Sequence, residues 1–168
     1  MGTELHKKNT PANLKIAVIS ISTTRGIEDD KSGAWIKQQI KKEGHETVLH
    51  HVVTDDIDAI RSAVQNVVEN ITPHAVLMSG GTGISPRDVT IEAVAPLFDK
   101  TLGAFGVLFA QLSFEEIDSA AIMSRATAGI IGHTVVFCMP GSLKACKLAC
   151  SSLIFPELGH IIKHISET

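Results

Sequence analysis

Apolar positions in this chain fall into short unbroken runs separated by amphipathic stretches. Leu14 to Ile21 and Ala75 to Met78 are apolar without alternation, the pattern of strands covered on both faces in a parallel sheet. Glu46 to Val53 reads as a further strand, and His133 to Met139 as the last strong one. Between strands the period lengthens. Ile57, Ile60, Val64, Val67 and Ile71 keep helical spacing, and Ile36 and Ile40 share one face of a helix running from a Ser32 cap to a stop at Gly44. A short helix is expected over Ile91 to Leu97. Residues 102 to 117, LGAFGVLFAQLSFEEI, are apolar all round and predict a buried or interface helix. A helix capped by Ser142 follows the turn Pro140-Gly141-Ser142, and Pro156 opens a final one. Strands alternating with helices predict a single three-layer α/β domain with a mainly parallel sheet over residues 14 to 168, after a polar, aperiodic tail over residues 1 to 13.

The polar residues collect just after strands, where open α/β sheets bind ligands. The richest collection is SGGTGISPRDVT, residues 79 to 90. Gly80, Gly81 and Gly83 let the backbone turn and let an anion approach its N–H groups, Thr82 adds a hydroxyl, and Asp88 places a carboxylate beside that cradle, which a bridging metal ion would reconcile. A strand-to-helix turn with Asp88 or Thr90 as N-cap is the competing reading, and it leaves three glycines in four positions unexplained. The segment matches neither common nucleotide fingerprint. Pro86 occupies the third glycine position of a G-x-G-x-x-G begun at Gly81, and no G-x-x-x-x-G-K-[ST] can be laid over it. Ser22 and Arg25 belong to a hydroxyl-rich loop after the first strand. Asp55 follows the second strand, where the sequence alone favours capping of the next helix, and Asp56 and Asp58 are rivals.

Composition narrows the partners. The net charge of −3, dispersed basic residues, six Phe, one Trp and no Tyr give neither a basic stripe nor stacking platforms for nucleic acid. Three cysteines, Cys138, Cys146 and Cys150, form no C-x-x-C, and with no secretory leader or myristoylation pattern read at the start, a reduced, cytoplasmic protein is expected. Cys146 and Cys150 are expected as buried small hydrophobes. The absence of an uninterrupted apolar run of membrane-spanning length argues against a membrane helix. His160 and His164 share an i, i+4 spacing, but Ile161 stands where a metalloprotease helix carries glutamate, so they are expected as surface or packing residues.

SGGTGISPRDVT resembles the signature of the MoaB/MogA molybdopterin-binding family of molybdenum-cofactor biosynthesis. GIEDDKSG at 26 to 33, LSFEEI at 112 to 117 and PGSLKA at 140 to 145 resemble its MoaB branch. The resemblance runs from about Lys15 to Pro156, in order. It implies a MogA-like fold, homotrimers or homohexamers, and adenylylation of molybdopterin by Mg-ATP in the molybdenum or tungsten pathway, with Mg²⁺ held by Asp55 and Asp88. It further implies substrate and phosphate binding by Ser22, Gly80, Gly81, Thr82, Gly83, Ser113, Arg125, Pro140, Gly141, Ser142 and Lys144, and hand-over to a downstream metal-inserting enzyme. The alternative is a non-catalytic molybdopterin carrier of the same pathway. One segment departs from the family: where many relatives carry GFGE followed by arginine, this chain has Ala104-Phe105-Gly106-Val107 and then Ala110.

Overall fold

A six-stranded sheet of order β2-β1-β3-β6-β5-β4 divides the chain into two packed faces. The structure is a computed structural model and describes residues 11 to 167; the expectation for the tail lies, up to residue 10, outside them. The strands β1 (Lys15–Ile21), β2 (Glu46–Val53), β3 (Ala75–Ser79) and β6 (Thr134–Met139) run parallel, and β5 (Thr127–Ile131) and β4 (Lys100–Thr101) continue the sheet antiparallel. On one face lie α1 (Lys31–Lys42), α4 (Gly103–Ile117) and the pair α5 (Leu143–Ala149) and α6 (Phe155–Ser166). Helices α2 (Ile57–Asn66) and α3 (Thr90–Val94) cover the other.

Alternate residues of the parallel strands serve opposite cores. Ile16 and Val18 meet Ile36, Ile40 and Leu77 on one side, while Ala17 and Ile19 meet Ile60, Val64 and Met78 on the other. This is why these runs show no polar alternation. Each fully buried Ile or Leu contributes about 1.5–3 kcal/mol of transfer free energy.

Several boundaries differ from the sequence expectation. Asp30, not Ser32, caps α1: its Oδ1 accepts from the Gly33 N–H at 2.9 Å, and Ser32 instead donates to the Gly141 carbonyl at 2.9 Å. The antiparallel β4 and β5 were not anticipated, because Thr127–Ile131 interposes Ala and Gly among its apolar residues. Helix α4 is exposed along much of its apolar surface rather than buried. Only Phe105, Phe109 and Ser113 are buried, whereas Val107, Leu108, Phe114 and Ile117 are exposed, followed by exposed Ile122 and Met123.

Helices α5 and α6 are one continuous helix, Leu143–Ser166, joined by a π turn over Cys150–Ile154. Among the described residues it is the helix long and apolar enough to cross a membrane by length and composition, a test that a helix packed on a sheet also passes. Its Cys146, Ala149, Cys150, Ile154, Leu158 and Ile162 seat against the sheet. All three cysteines are buried free thiols, and burial pushes Cys138 and Cys146 up to about 12 and Cys150 higher. They are small hydrophobes.

Candidate functional site

β1 is flanked by β2 on one side and β3 on the other, so the connections leaving the carboxyl ends of β1 and β3 pass to opposite faces of the sheet. A crevice opens where they part, the place at which such sheets bind ligands. Here it is an open cleft of ≈ 580 Å³ lined by the loop after β1 (Ser22 to Arg25), Asp55, the glycine loop with Ser85, Arg87 and Asp88, and the turn Gly141-Ser142.

The glycine loop is built by local necessity. Gly80 and Gly81 adopt φ of +103° and +65°, the region that disfavours side chains, and a Cβ on Gly81 would strike the Thr90 hydroxyl. That hydroxyl donates to the Gly80 carbonyl at 2.8 Å, and the Thr90 N–H to the Gly81 carbonyl at 2.9 Å, so neither Thr90 nor Asp88 caps α3. The Gly80 N–H donates to the Met139 carbonyl at 3.0 Å and is not available to a ligand. The N–H groups of Gly81, Thr82 and Gly83 have no hydrogen-bond acceptor among the described residues. Thr82 turns its hydroxyl inward, buried and without a partner.

Both carboxylates expected at the site face the cleft. Asp55 Oδ2 accepts from Thr23 Oγ1 at 2.7 Å, and Asp88 Oδ2 from the Ser85 N–H at 2.8 Å, leaving Oδ1 of each without a donor among the described residues. The rivals of Asp55 are occupied elsewhere. Asp56 caps α2 through the Ala59 N–H at 2.8 Å, and exposed Asp58 lies 3.8 Å from Arg61. Capping by Asp56 releases its neighbour to the cleft. Ser22 accepts at its hydroxyl from the Arg25 N–H at 3.1 Å, which folds the first loop over the crevice.

Arg125 occupies a place the sequence did not foretell. Expected as a phosphate clamp, its guanidinium instead donates through Nε to the carbonyls of Thr82 and Gly83 at 2.9 and 3.0 Å and forks onto Glu92 at 2.6 and 3.2 Å. It grips the glycine loop from behind. The Arg125 hydrogen bond holds the Glu92 carboxyl below its usual range, and Glu92 raises Arg125 in turn. The cations that do line the cleft are Arg25 and Arg87. Arg87 went unassigned although it sits inside the glycine motif, next to Asp88.

Ser113, Pro140 and Lys144 line a smaller adjoining hollow of ≈ 90 Å³ that shares Ser142 with the main cleft. Lys144 Nζ lies 3.4 Å from Glu116. Asp30 and His50 form a buried pair, His50 Nε2 to Asp30 Oδ2 at 2.8 Å, with His50 Nδ1 unpartnered. Burial opposes ionisation of Asp30, but hydrogen bonds from Ser20, Gly33 and His50 and the charge of His50 together bring its pKa below the ordinary value. Through α1 and Ser32 this pair braces the Gly141 turn. His50, in a strand of intermediate burial, carried no sequence signal for it.

Val107 and Ala110, where the chain departs from the family pattern, line neither hollow. Val107 is exposed on α4, and Ala110 borders a separate apolar hollow with Phe114 and Ile122. Among the described residues no three His, Cys, Asp or Glu side chains are grouped to hold a metal unaided.

Residues 15 to 160 match the family described as "Probable molybdopterin binding domain". The chain is 47% identical over 166 residues to Molybdenum cofactor biosynthesis protein B of Bacillus subtilis, covering 98% of each chain. It is 41% identical over 173 residues to a Pyrococcus furiosus protein named molybdopterin adenylyltransferase, covering 99% of this chain and 100% of the other. A crystal structure of a Molybdenum cofactor biosynthesis protein B superposes with a TM-score of 0.89 at 45% identity, covering 92% of this chain and 97% of that one. With the switch-point cleft, the glycine loop and the paired carboxylates in hand, these matches establish that the chain belongs to the molybdopterin-binding family of molybdenum-cofactor biosynthesis, in its MoaB branch.

Proposed function

We propose that this protein is a molybdopterin adenylyltransferase, transferring AMP from Mg-ATP to the terminal phosphate of molybdopterin in molybdenum- or tungsten-cofactor synthesis. The observation that carries this reading is the convergence of Asp55 and Asp88 on one cleft with the unengaged N–H of Gly81 in the glycine loop. The name of the Pyrococcus furiosus relative supports it.

In the transfer, an oxygen of the molybdopterin phosphate forms a bond to the α-phosphorus of ATP as the bond from that phosphorus to the pyrophosphate bridge breaks. The attacking oxygen is already anionic, so no general base is needed. The difficulty is to hold two mutually repelling phosphates in line. Arg25 and Arg87 supply positive charge at the cleft, and the unengaged N–H of Gly81, which lines it, supplies a donor to a phosphate. Ser113, Pro140, Ser142 and Lys144 border the hollow proposed for the pterin end or a second phosphate, and Ser22 and Gly141 complete the walls.

The donor set fits Mg²⁺. The unpaired Oδ1 atoms of Asp55 and Asp88 offer two hard oxygens, too few to cage the ion and suited to one that keeps waters and phosphate oxygens. When bound there, Mg²⁺ neutralises phosphate charge and polarises the α-phosphoryl group. Arg125 is a positioning residue, holding the carbonyl side of the loop so that its N–H side faces ligand.

The exposed apolar surface of α4 and the turn after it, with Phe114, Ile117, Ile122 and Met123, is the surface we assign to self-association into trimers or hexamers. The test of function is pyrophosphate release and adenylylated product from purified protein with molybdopterin and Mg-ATP. Product from the wild type, lost in Asp88→Ala with oligomer and fold retained, supports the assignment. Molybdopterin binding without product supports the carrier, and near-normal turnover by Asp88→Ala overturns the metal site.

A further inference from the structure

One layer behind the cleft, where the start of α1 meets β2, a polar pair is kept out of water. The side chains of His50 and Asp30 are 6% and 8% exposed, with His50 Nε2 2.8 Å from Asp30 Oδ2. Asp30 Oδ1 accepts from the Gly33 N–H at 2.9 Å, and a Cβ on Gly33 would strike both partners, so the first turn of α1 is built around the pair. Replacing a buried polar pair with packed apolar residues is often neutral or stabilising, so stability is a poor account of this one. Its position says more. Asp30 borders a water-sized hollow of ≈ 10 Å³ with Ser22, Arg25 and Gly141, and those three also line the main cleft.

From the pair a short chain of contacts reaches the cleft wall. Ser32, in the turn that Asp30 caps, donates to the Gly141 carbonyl at 2.9 Å. Gly141 lies so close to the glycine loop that a Cβ on it would stand 3.0 Å from the Gly80 Cα. The glycine loop has anchors of its own, Thr90 on the carbonyls of Gly80 and Gly81 and Arg125 on those of Thr82 and Gly83. The Gly141-Ser142 turn, by contrast, is held from α1. We propose that Asp30 and His50 are a positioning pair which, through Ser32, sets this turn against the glycine loop at the spacing molybdopterin needs. The inference rests on the proposed function, in which Ser142 and the hollow beside it take the pterin end or a second phosphate. It adds that the two walls of the cleft are aimed separately, so that molybdopterin binding can be loosened while ATP binding at the glycine loop is kept.

The test is anaerobic calorimetry of molybdopterin and of Mg-ATP, each titrated separately into full-length wild type, Ser32→Ala, His50→Leu and His50→Gln, with pyrophosphate release followed alongside. Ser32→Ala keeps the pair and the cap of α1, so it reports on the link even if His50→Leu fails to fold. The molybdopterin Kd should rise about tenfold in Ser32→Ala and His50→Leu, the worth of one hydrogen bond, with the Mg-ATP Kd within about twofold of wild type. His50→Gln, whose amide can bond Asp30 in place of Nε2, should return molybdopterin binding to near the wild-type value. Wild-type molybdopterin affinity in Ser32→Ala overturns the proposal. Equal weakening of both ligands also overturns it, marking a purely structural pair. A wild type that binds molybdopterin and releases no pyrophosphate sinks the adenylyltransferase reading, while the same molybdopterin comparison still decides the positioning role.

Discussion

Thr23 and Asp55 hold each other twice: the threonine hydroxyl donates to Asp55 Oδ2 at 2.7 Å and accepts from the Asp55 N–H at 3.2 Å. The loop after β1 thereby orients a carboxylate delivered by the end of β2. Thr23→Ala is expected to leave Asp55 present but unaimed. A hydrogen bond to a charged group is worth about 1.5–3 kcal/mol, and at this exposed site the lower end applies, so kcat/KM for pyrophosphate release should fall about tenfold. Thr23→Ser should restore it, and an unchanged rate in Thr23→Ala would remove Thr23 from the site.

Gly81→Ala introduces a side chain at φ +65° and drives its Cβ at the Thr90 hydroxyl. Strain of this kind costs about 1–3 kcal/mol, and in a domain of this size each kcal/mol lowers Tm by roughly 2–4 °C. Calorimetric scans should show that loss together with weakened ATP binding. Wild-type Tm and affinity would mean that the loop tolerates a different path.

The Arg125–Glu92 pair predicts a pH signature. The Glu92 pKa is depressed below the ordinary 4.5 by the Arg125 hydrogen bond, so its contribution to stability is present above the ordinary value and is lost as pH falls through the folded one. Urea midpoints measured from about pH 6 to about pH 3 should show wild type more stable than Glu92→Gln at the upper end and the gap closing at the lower. A gap independent of pH would indicate a purely steric role for Glu92.

Phe114 and Ile122 are 57% and 88% exposed beside the apolar hollow of α4. On the proposed self-association, the wild type elutes as an oligomer and Phe114→Glu with Ile122→Glu as a monomer in size-exclusion chromatography with light scattering. A wild type that elutes as monomer would refute the assignment of this face.

What the sequence made legible was what depends on runs of similar residues. The first and third strands follow from unbroken apolar stretches, the other two parallel strands from β-branched residues, and the glycine loop from three glycines that no cap explains. Contests between neighbours were not legible, because they are settled in three dimensions. Asp56 wins the cap of α2 and so hands Asp55 to the cleft, while Asp30 wins the cap of α1 and so turns Ser32 toward Gly141. Arg125 is read as a ligand-facing cation from the resemblance and its bidentate fork, and only the fold reveals that Glu92 and two loop carbonyls already fill that fork. Strand β5 was missed since two strongly apolar residues, Ile130 and Ile131, are too few to mark it.

The parallel core joins partners far apart along the chain, Ile16 with Ala75 and Ala75 with Val135. Closing such long loops is opposed by entropy until their contacts form, so pairings of this kind slow folding. The cleft draws on residues from Ile21 to Ser142, and during synthesis it has no existence until the turn after β6 has emerged. A ligand held there therefore stabilises only the finished fold, by RT ln(1 + [L]/Kd). On the proposed function, cofactor precursor and nucleotide would act as folding ligands for this chain, and chains that meet neither would be the more open to proteolysis.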